Sequence, residues 1–201
     1  MQPFTTLTGT ALPLDRANVD TDQIAPARFL RRPRDDGYAD VLFHDLRENA
    51  DFILNQPAYR GSKILVADRN FGGGSSREQA VWSLVDYGIS CVIAVTFGDI
   101  FWENSVKGGL LLIRVDEATA KALRGHLLAK PGAAMTVDLD KQTITAPDGA
   151  ALPFEAEPSR KRRLLLGLDD IGVTLRHDAT IAEAEKAYRA RRPWLFRHGA
   201  G

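Results

Sequence analysis

Residues 63–115 constrain the fold more than any other stretch of the sequence. Lys63-Ile64-Leu65-Val66-Ala67 is an apolar run of strand length, followed by the glycine-rich turn Asn70-Phe71-Gly72-Gly73-Gly74. From Ser76 to Tyr87 the apolar residues Ala80, Val81, Leu84 and Val85 recur at helical spacing, and Gly88 supplies a helix stop. Cys91 to Thr96 predicts the next strand, a short helix is expected from about Asp99, and Leu110 to Val115 predicts another strand. Strand–helix–strand repetition of this kind requires parallel pairing through right-handed crossovers. The fold class read from the pattern is α/β.

Outside that stretch the periodicity predicts a helix over 117–129, ending near Lys130-Pro131-Gly132, and a hairpin from 135–139 and 142–146. Two more helices are expected over 159–166 and 180–192, the second opened by a Thr180-x-x-Glu183 capping box. Residues 1–60 are rich in Pro and Asp and read as irregular, with Arg31-Arg32-Pro33-Arg34-Asp35-Asp36-Gly37 as an exposed loop. No repeat or low-complexity tract divides the chain. One domain over 1–201 is expected, with an irregular N-terminal loop at about 20–38 and a helical tail at about 159–195.

Charge and cysteine content narrow the function. Lys+Arg and Asp+Glu balance at 26 each, so no global field favours a polyanion, and nucleic acid is excluded as the main partner. Met1-Gln2-Pro3-Phe4 lacks a basic stretch leading into an apolar one, and no apolar run approaches the roughly 18–20 residues that cross a bilayer. A cytoplasmic protein without membrane contact is expected. The single cysteine, Cys91, lies in a buried-strand pattern and reads as a packed hydrophobe. An iron–sulfur cluster needs about three or four thiolates. Any such chemistry must therefore come from another chain.

The chemical segment is Asn70-Phe71-Gly72-Gly73-Gly74-Ser75-Ser76-Arg77-Glu78. Three glycines let the backbone turn sharply and approach a ligand. The helix behind them offers unpaired N–H groups and a positive dipole end to a carboxylate or phosphate, and Arg77 adds a planar fork of donors. The absence of Gly-Lys-Ser/Thr rules out a nucleotide P-loop. Ser75-x-x-Glu78 is also the spacing of a capping box, so both a helix cap and a ligand site remain open on spacing alone.

Four separated segments carry a resemblance. They are Asn18-Val19-Asp20-Thr21-Asp22-Gln23-Ile24, the turn from Asn70 to Ala80, Phe97-Gly98-Asp99-Ile100-Phe101-Trp102-Glu103-Asn104-Ser105, and Gly167-Leu168-Asp169-Asp170-Ile171-Gly172-Val173-Thr174-Leu175. In order and spacing they resemble the small subunit of 3-isopropylmalate dehydratase, a family similar to the mobile domain of aconitase. The resemblance implies a swivelling β/β/α domain with a helical C-terminal tail. It implies a hydro-lyase that isomerises 2-isopropylmalate to 3-isopropylmalate by dehydration and rehydration, a step towards leucine. The partner implied is a large subunit holding a 4Fe-4S cluster, with a hydroxy-dicarboxylate substrate shared between the chains and no cofactor or metal on this one. Ser75 would remove the proton α to a carboxylate. Ser76, Arg77, Ala27 and Arg28 would contact substrate, supported by Asp20, Thr21, Asp22, Gly72, Gly74, Glu78 and Gln79.

The chain departs from the family pattern at named positions. Gln79 stands where histidine is usual, and Gly73 where cysteine is common. Ala25, Ala27 and Arg28 alter the loop held to read the substrate's variable group, so another 2-hydroxy acid of methylmalate or homocitrate type is the competing substrate class. A binding or regulatory module that kept the fold is the competing role. Among other candidates, His44, His126, His177 and His198 lack ligand spacing, and Asp20 with Asp22 reads as turn chemistry rather than a metal pair. Asp169-Asp170 reads likewise. Lys161-Arg162-Arg163 reads as a solvated or partner-facing stripe, and Trp82, Trp102 and Trp194 as core or interface residues.

Overall fold

A computed structural model of the chain describes residues 1–74 and 77–196. In chain order its elements are β1 (Thr6–Pro13), α1 (Thr21–Ile24), β2 (Ile64–Val66), α2 (Glu78–Tyr87), β3 (Cys91–Ala94), α3 (Asp99–Lys107), β4 (Leu111–Arg114) and α4 (Glu117–Ala129). Then come β5 (Ala134–Asp138), β6 (Thr143–Thr145), β7 (Ala151–Pro153), α5 (Pro158–Leu166), α6 (Asp170–Leu175) and α7 (Asp178–Arg191). Short 3-10 turns fill much of the stretch between α1 and β2.

Seven strands of the described residues form one sheet in the order β4-β3-β2-β1-β5-β6-β7. The first four are parallel, and the crossovers through α2 and α3 are those expected from 63–115. β5, β6 and β7 are antiparallel. β1 joins the halves by splitting its pairing: Thr6 to Thr10 face β5, and Ala11 to Pro13 face β2.

Strand alternation sorts the apolar side chains into two layers. Leu12, Leu65, Val92 and Leu112 meet α2 (Ala80, Val81, Leu84) and the region containing Tyr38, Leu42, Phe43 and Tyr59. Ala11, Ile64, Val66, Cys91, Ile93 and Ile113 meet Leu123 and Leu127 of α4, together with Met135, Val137 and Ile144. Each fully buried side chain of this size contributes about 1.5–3 kcal/mol, so the parallel strands, covered on both faces, are the best anchored part of the chain.

Three readings of the sequence need correction. Residues 1–60 are not wholly irregular, because β1 runs through Gly9, where a Cβ would sit 2.6 Å from Lys63 Cγ. That close approach explains a glycine inside a strand. The helix expected from Thr180 begins at Asp178 with His177 as its N-cap and no side-chain cap, so the Thr180-x-x-Glu183 box is not formed. Asp169 instead caps an additional helix, α6, accepting from Gly172 N at 2.7 Å.

Candidate active site

The carboxyl ends of β1, β2 and β3 open towards one edge of the sheet, the end of an α/β fold where ligands bind. The segment after β1 carries α1. Its N-cap is Asp20, whose Oδ1 accepts from Gln23 N at 2.8 Å, and whose second oxygen lies 3.4 Å from Gln23 Nε2. Asp20 is thus a helix cap, not a member of a metal pair, and like Asp169 it opens a helix where a turn was read. Thr21 is buried behind it, while the Asp22 carboxylate points outward and is 56% exposed.

The glycine turn after β2 is laced to that segment. Asn18 N donates to Arg69 O at 2.9 Å, Gly72 N to Val19 O at 2.7 Å, and Thr21 N to Gly73 O at 3.0 Å. Asn70 Nδ2 donates to Asn18 Oδ1 at 3.0 Å. Both asparagines are left-handed, at φ 57° and 54°, a conformation that asparagine tolerates better than most residues. On its other side the turn meets the end of β3: Asn70 N donates to Thr96 Oγ1 at 2.8 Å and Gly98 N to Phe71 O at 3.0 Å.

Glycine is required where these segments touch. Gly72 and Gly74 lie at φ +73° and +85°, and a Cβ on Gly72 would stand 2.3 Å from Phe101 Cγ. A Cβ on Gly98 would stand 2.4 Å from Gly72 O. The three glycines therefore set both the curvature of the turn and its seating on α3.

Arg77 ends the turn as the N-cap of α2, with no side-chain cap bond, and Glu78 is the first residue of the helix. A Ser75-x-x-Glu78 box would place Glu78 in the third helical position, whereas Glu78 is the first. The Arg77 side chain is only 14% exposed and one of its Nη groups pairs with Asp22. Gln79 is half-buried in the next position, and Glu78 is exposed. Ser75 and Ser76 lie outside the described residues. Gly74 and Arg77 themselves lie against α1, beside Asp20 and Asp22, at a positive helix terminus carrying a guanidinium, a setting for carboxylate recognition.

Ala27 and Arg28 fall on a separate 3-10 turn, Ala27–Phe29, a few residues beyond α1. Arg28 is committed there: Nη1 donates to Asp45 Oδ2 at 3.1 Å, and Nη2 reaches Asp45 Oδ1 and lies 2.9 Å from His44 Nδ1. Arg28 holds the Asp45 carboxyl below the usual carboxylate range. His44, Asp45 and Glu48 place ligand atoms within 4.8 Å of one another, yet the Asp45 carboxylate is already paired with the Arg28 guanidinium. His126 stands 3.5 Å from Asp148, and His198 lies outside the described residues. Cys91 is fully buried in β3, and burial pushes its thiol pKa up. One inward-facing thiol is not the donor set of an iron–sulfur cluster.

A family model for the aconitase C-terminal domain matches residues 1–118, and one described as LeuD_N matches residues 122–158. A third, for the C-terminal domain of the 3-isopropylmalate dehydratase small subunit, matches residues 170–198. A protein of Paramagnetospirillum magneticum named 3-isopropylmalate dehydratase small subunit is 48% identical over 201 residues, covering 97% of this chain and all of that one. The chain belongs to the 3-isopropylmalate dehydratase small-subunit family. A Rhodopseudomonas palustris protein of the same name is 49% identical over 200 residues, covering 96% of this chain and 100% of its own length. Among solved structures, a 3-isopropylmalate dehydratase from Methanocaldococcus jannaschii has a TM-score of 0.69 and 28% identity, covering 89% of this chain and 99% of that one. The expected aconitase-type α/β fold is therefore the observed one. Among the described residues no helix is long and apolar enough to cross a membrane.

Within this family fold the structure brings Asp20, Thr21, Asp22, Gly72, Gly74 and Arg77 together, with Glu78 and Gln79 opening α2. Sequence reasoning gave no role to the Asn18–Asn70 pair, to Thr96 or to Gly98. Paired asparagines before two turns, and a glycine after a strand, were the signals present.

Proposed function

We propose that this chain is the small subunit of a two-chain hydro-lyase that converts 2-isopropylmalate to 3-isopropylmalate by dehydration and rehydration, in the cytoplasm and on the route to leucine. The observation carrying the proposal is the turn ending in Arg77, presented beside α1 at the strand carboxyl ends of a chain related over nearly its whole length to such subunits. This chain's share of the reaction is binding and proton transfer. The thiolates of a 4Fe-4S cluster, and the Lewis acidity that helps hydroxide depart, are assigned to the large subunit.

Ser75 is the base. A serine hydroxyl is weakly acidic, so its alkoxide needs fixed positive potential, which the N-terminus of α2 and the nearby guanidinium of Arg77 supply. Arg77 and Ser76 hold a substrate carboxylate, which orients the adjacent C–H towards Ser75. Asp22, paired with one Nη of Arg77, braces the guanidinium for that carboxylate. Gly72 and Gly74 shape the approach, and Asp20 and Thr21 hold the facing wall. Ala27 and Arg28 are assigned to the substrate's variable group, Arg28 through the turn it anchors to Asp45. Gln79 donates and accepts hydrogen bonds but carries no proton at neutral pH, so it orients rather than titrates.

The test is co-purification with the large subunit and assay of the pair on 2-isopropylmalate and on malates with smaller substituents. Turnover by the pair, none by this chain alone, and preference for the isopropyl substrate are expected. Preference for an unbranched acid overturns the substrate assignment. Ser75→Ala is expected to lower kcat by roughly 10²–10⁴-fold, the usual worth of a general base; an unchanged kcat removes Ser75 from that role.

A further inference from the structure

Arg124 lies in α4, on the sheet face opposite α2, and its side chain is only 6% exposed. All three guanidinium nitrogens are engaged. Nε donates to Asp15 Oδ1 at 3.0 Å, Nη1 to Ala67 O at 2.8 Å, and Nη2 to Asp68 Oδ2 at 2.6 Å. Asp15 lies just beyond β1, and Ala67 with Asp68 just beyond β2. These are the points at which the two site segments leave the sheet.

The backbone ladder between those segments is interrupted there. Leu14 N donates to Val66 O at 2.8 Å, and the next rung is Asn18 N to Arg69 O at 2.9 Å. Among the described residues no backbone hydrogen bond joins 15–17 to 67–68. The Arg124 fork spans that gap. Above it the ladder resumes through Gly72 to Val19 and Thr21 to Gly73. A buried ion pair is weak evidence for stability, since apolar side chains of similar volume commonly serve that purpose as well. A planar fork does what an apolar side chain cannot: it fixes the mutual register of two chain segments.

We propose that Arg124 is a positioning residue for the reaction. Its guanidinium replaces the missing rungs and sets how the Asn18–Ile24 segment stands against the glycine turn, and so the register in which the two sides of the site meet. The inference rests on the small-subunit reading above. It assigns a catalytic consequence to a residue that touches no substrate.

Arg124→Lys keeps the charge but loses the fork. In the reconstituted pair, kcat for 2-isopropylmalate is expected to fall roughly ten- to hundredfold, the scale of an ångström-sized misplacement. KM should stay within about threefold, because Arg77 remains. In the chain alone, amide hydrogen exchange at Thr21 and Gly72 should speed up at least about tenfold, with Val92 and Ile93 in β3 unchanged. A folded variant with kcat within twofold of wild type overturns the proposal, and so does exchange that rises equally in β3. If Arg124→Lys does not fold, Asp15→Ala removes one arm at a carboxylate 68% exposed; a kcat loss of about threefold or more supports the proposal, and no loss overturns it. Failure of the wild-type pair to act on 2-isopropylmalate defeats the functional reading instead, and the exchange comparison still decides whether Arg124 sets the loop register.

Discussion

In the parallel half of the sheet, β1, β2 and β3 deliver their carboxyl ends to one edge, and each is followed by a segment that opens a helix. In the antiparallel half, β5, β6 and β7 reverse through turns that satisfy themselves. Lys141 N donates to Asp138 Oδ1 at 2.8 Å, and Ala150 N to Asp148 Oδ1 at 3.0 Å. The two halves share β1 and bury comparable apolar side chains, yet the candidate residues gather in the parallel half. Crossover connections leave helix N-termini with backbone donors to spare, whereas hairpins consume theirs. A site for an anionic substrate therefore falls where donors are left over.

Substitutions can break that contrast. Among substitutions of the scaffold, the largest effect on turnover is expected from Gly98→Val, whose Cβ would be driven against Gly72 O. Loss of more than about a hundredfold in kcat should accompany a stability loss of about 1–3 kcal/mol, typical of overpacking. Activity assay beside urea unfolding checks both, and retention of full kcat would show that the turn is not seated as described. Asp22→Asn comes next. Without its charge Arg77 loses its brace, and KM should rise several-fold with kcat reduced less; an unchanged KM separates Asp22 from substrate binding.

Met135→Ala tests the antiparallel half. Met135 is fully buried between the strands and α4, so a stability loss of about 2–5 kcal/mol is expected. Turnover well below the unfolding temperature should stay within about twofold, and a large kcat loss would erase the division between halves. The smallest effect concerns acid. Asp40 and Asp45 are held below the ordinary aspartate range by Arg32 and Arg28, and Asp138 by the Lys141 amide. Depressed folded-state values mean that these carboxylates stabilise the fold above the unfolded pKa of about 3.9 and lose that contribution as pH falls through the folded values. NMR titration should find all three midpoints below about 3.9; any midpoint above it removes that pairing.

Periodicity made the parallel half legible. Buried strands between amphipathic helices announce themselves, and the helix expected over 117–129 has those bounds. β1 was hidden because Thr6 to Thr10 are partly exposed and Gly9 interrupts the pattern. Caps misled for a different reason. The Ser/Thr-x-x-Glu spacing occurs at Ser75 and Thr180, but α2 and α7 begin behind Arg77 and His177. Among the described residues the side chains that do cap helices are Asp20, Asp116 and Asp169. Spacing records what a side chain could reach, whereas tertiary contacts decide where a helix starts. The site motifs were readable one by one, but the pairing of Arg77 with Asp22, 55 residues away, and of Arg124 with three groups on two strand ends exists only in the folded chain.

The divided pairing of β1 also sets an order of assembly. Its Ala11–Pro13 end finds β2 about fifty residues later, but its Thr6–Thr10 end pairs with residues 134–138, more than 120 positions downstream. During synthesis β1 is thus completed only after β5 has emerged, and one row of its amide and carbonyl groups stays open until then. Any factor that shields nascent edges would act there, on the opening residues of the sequence.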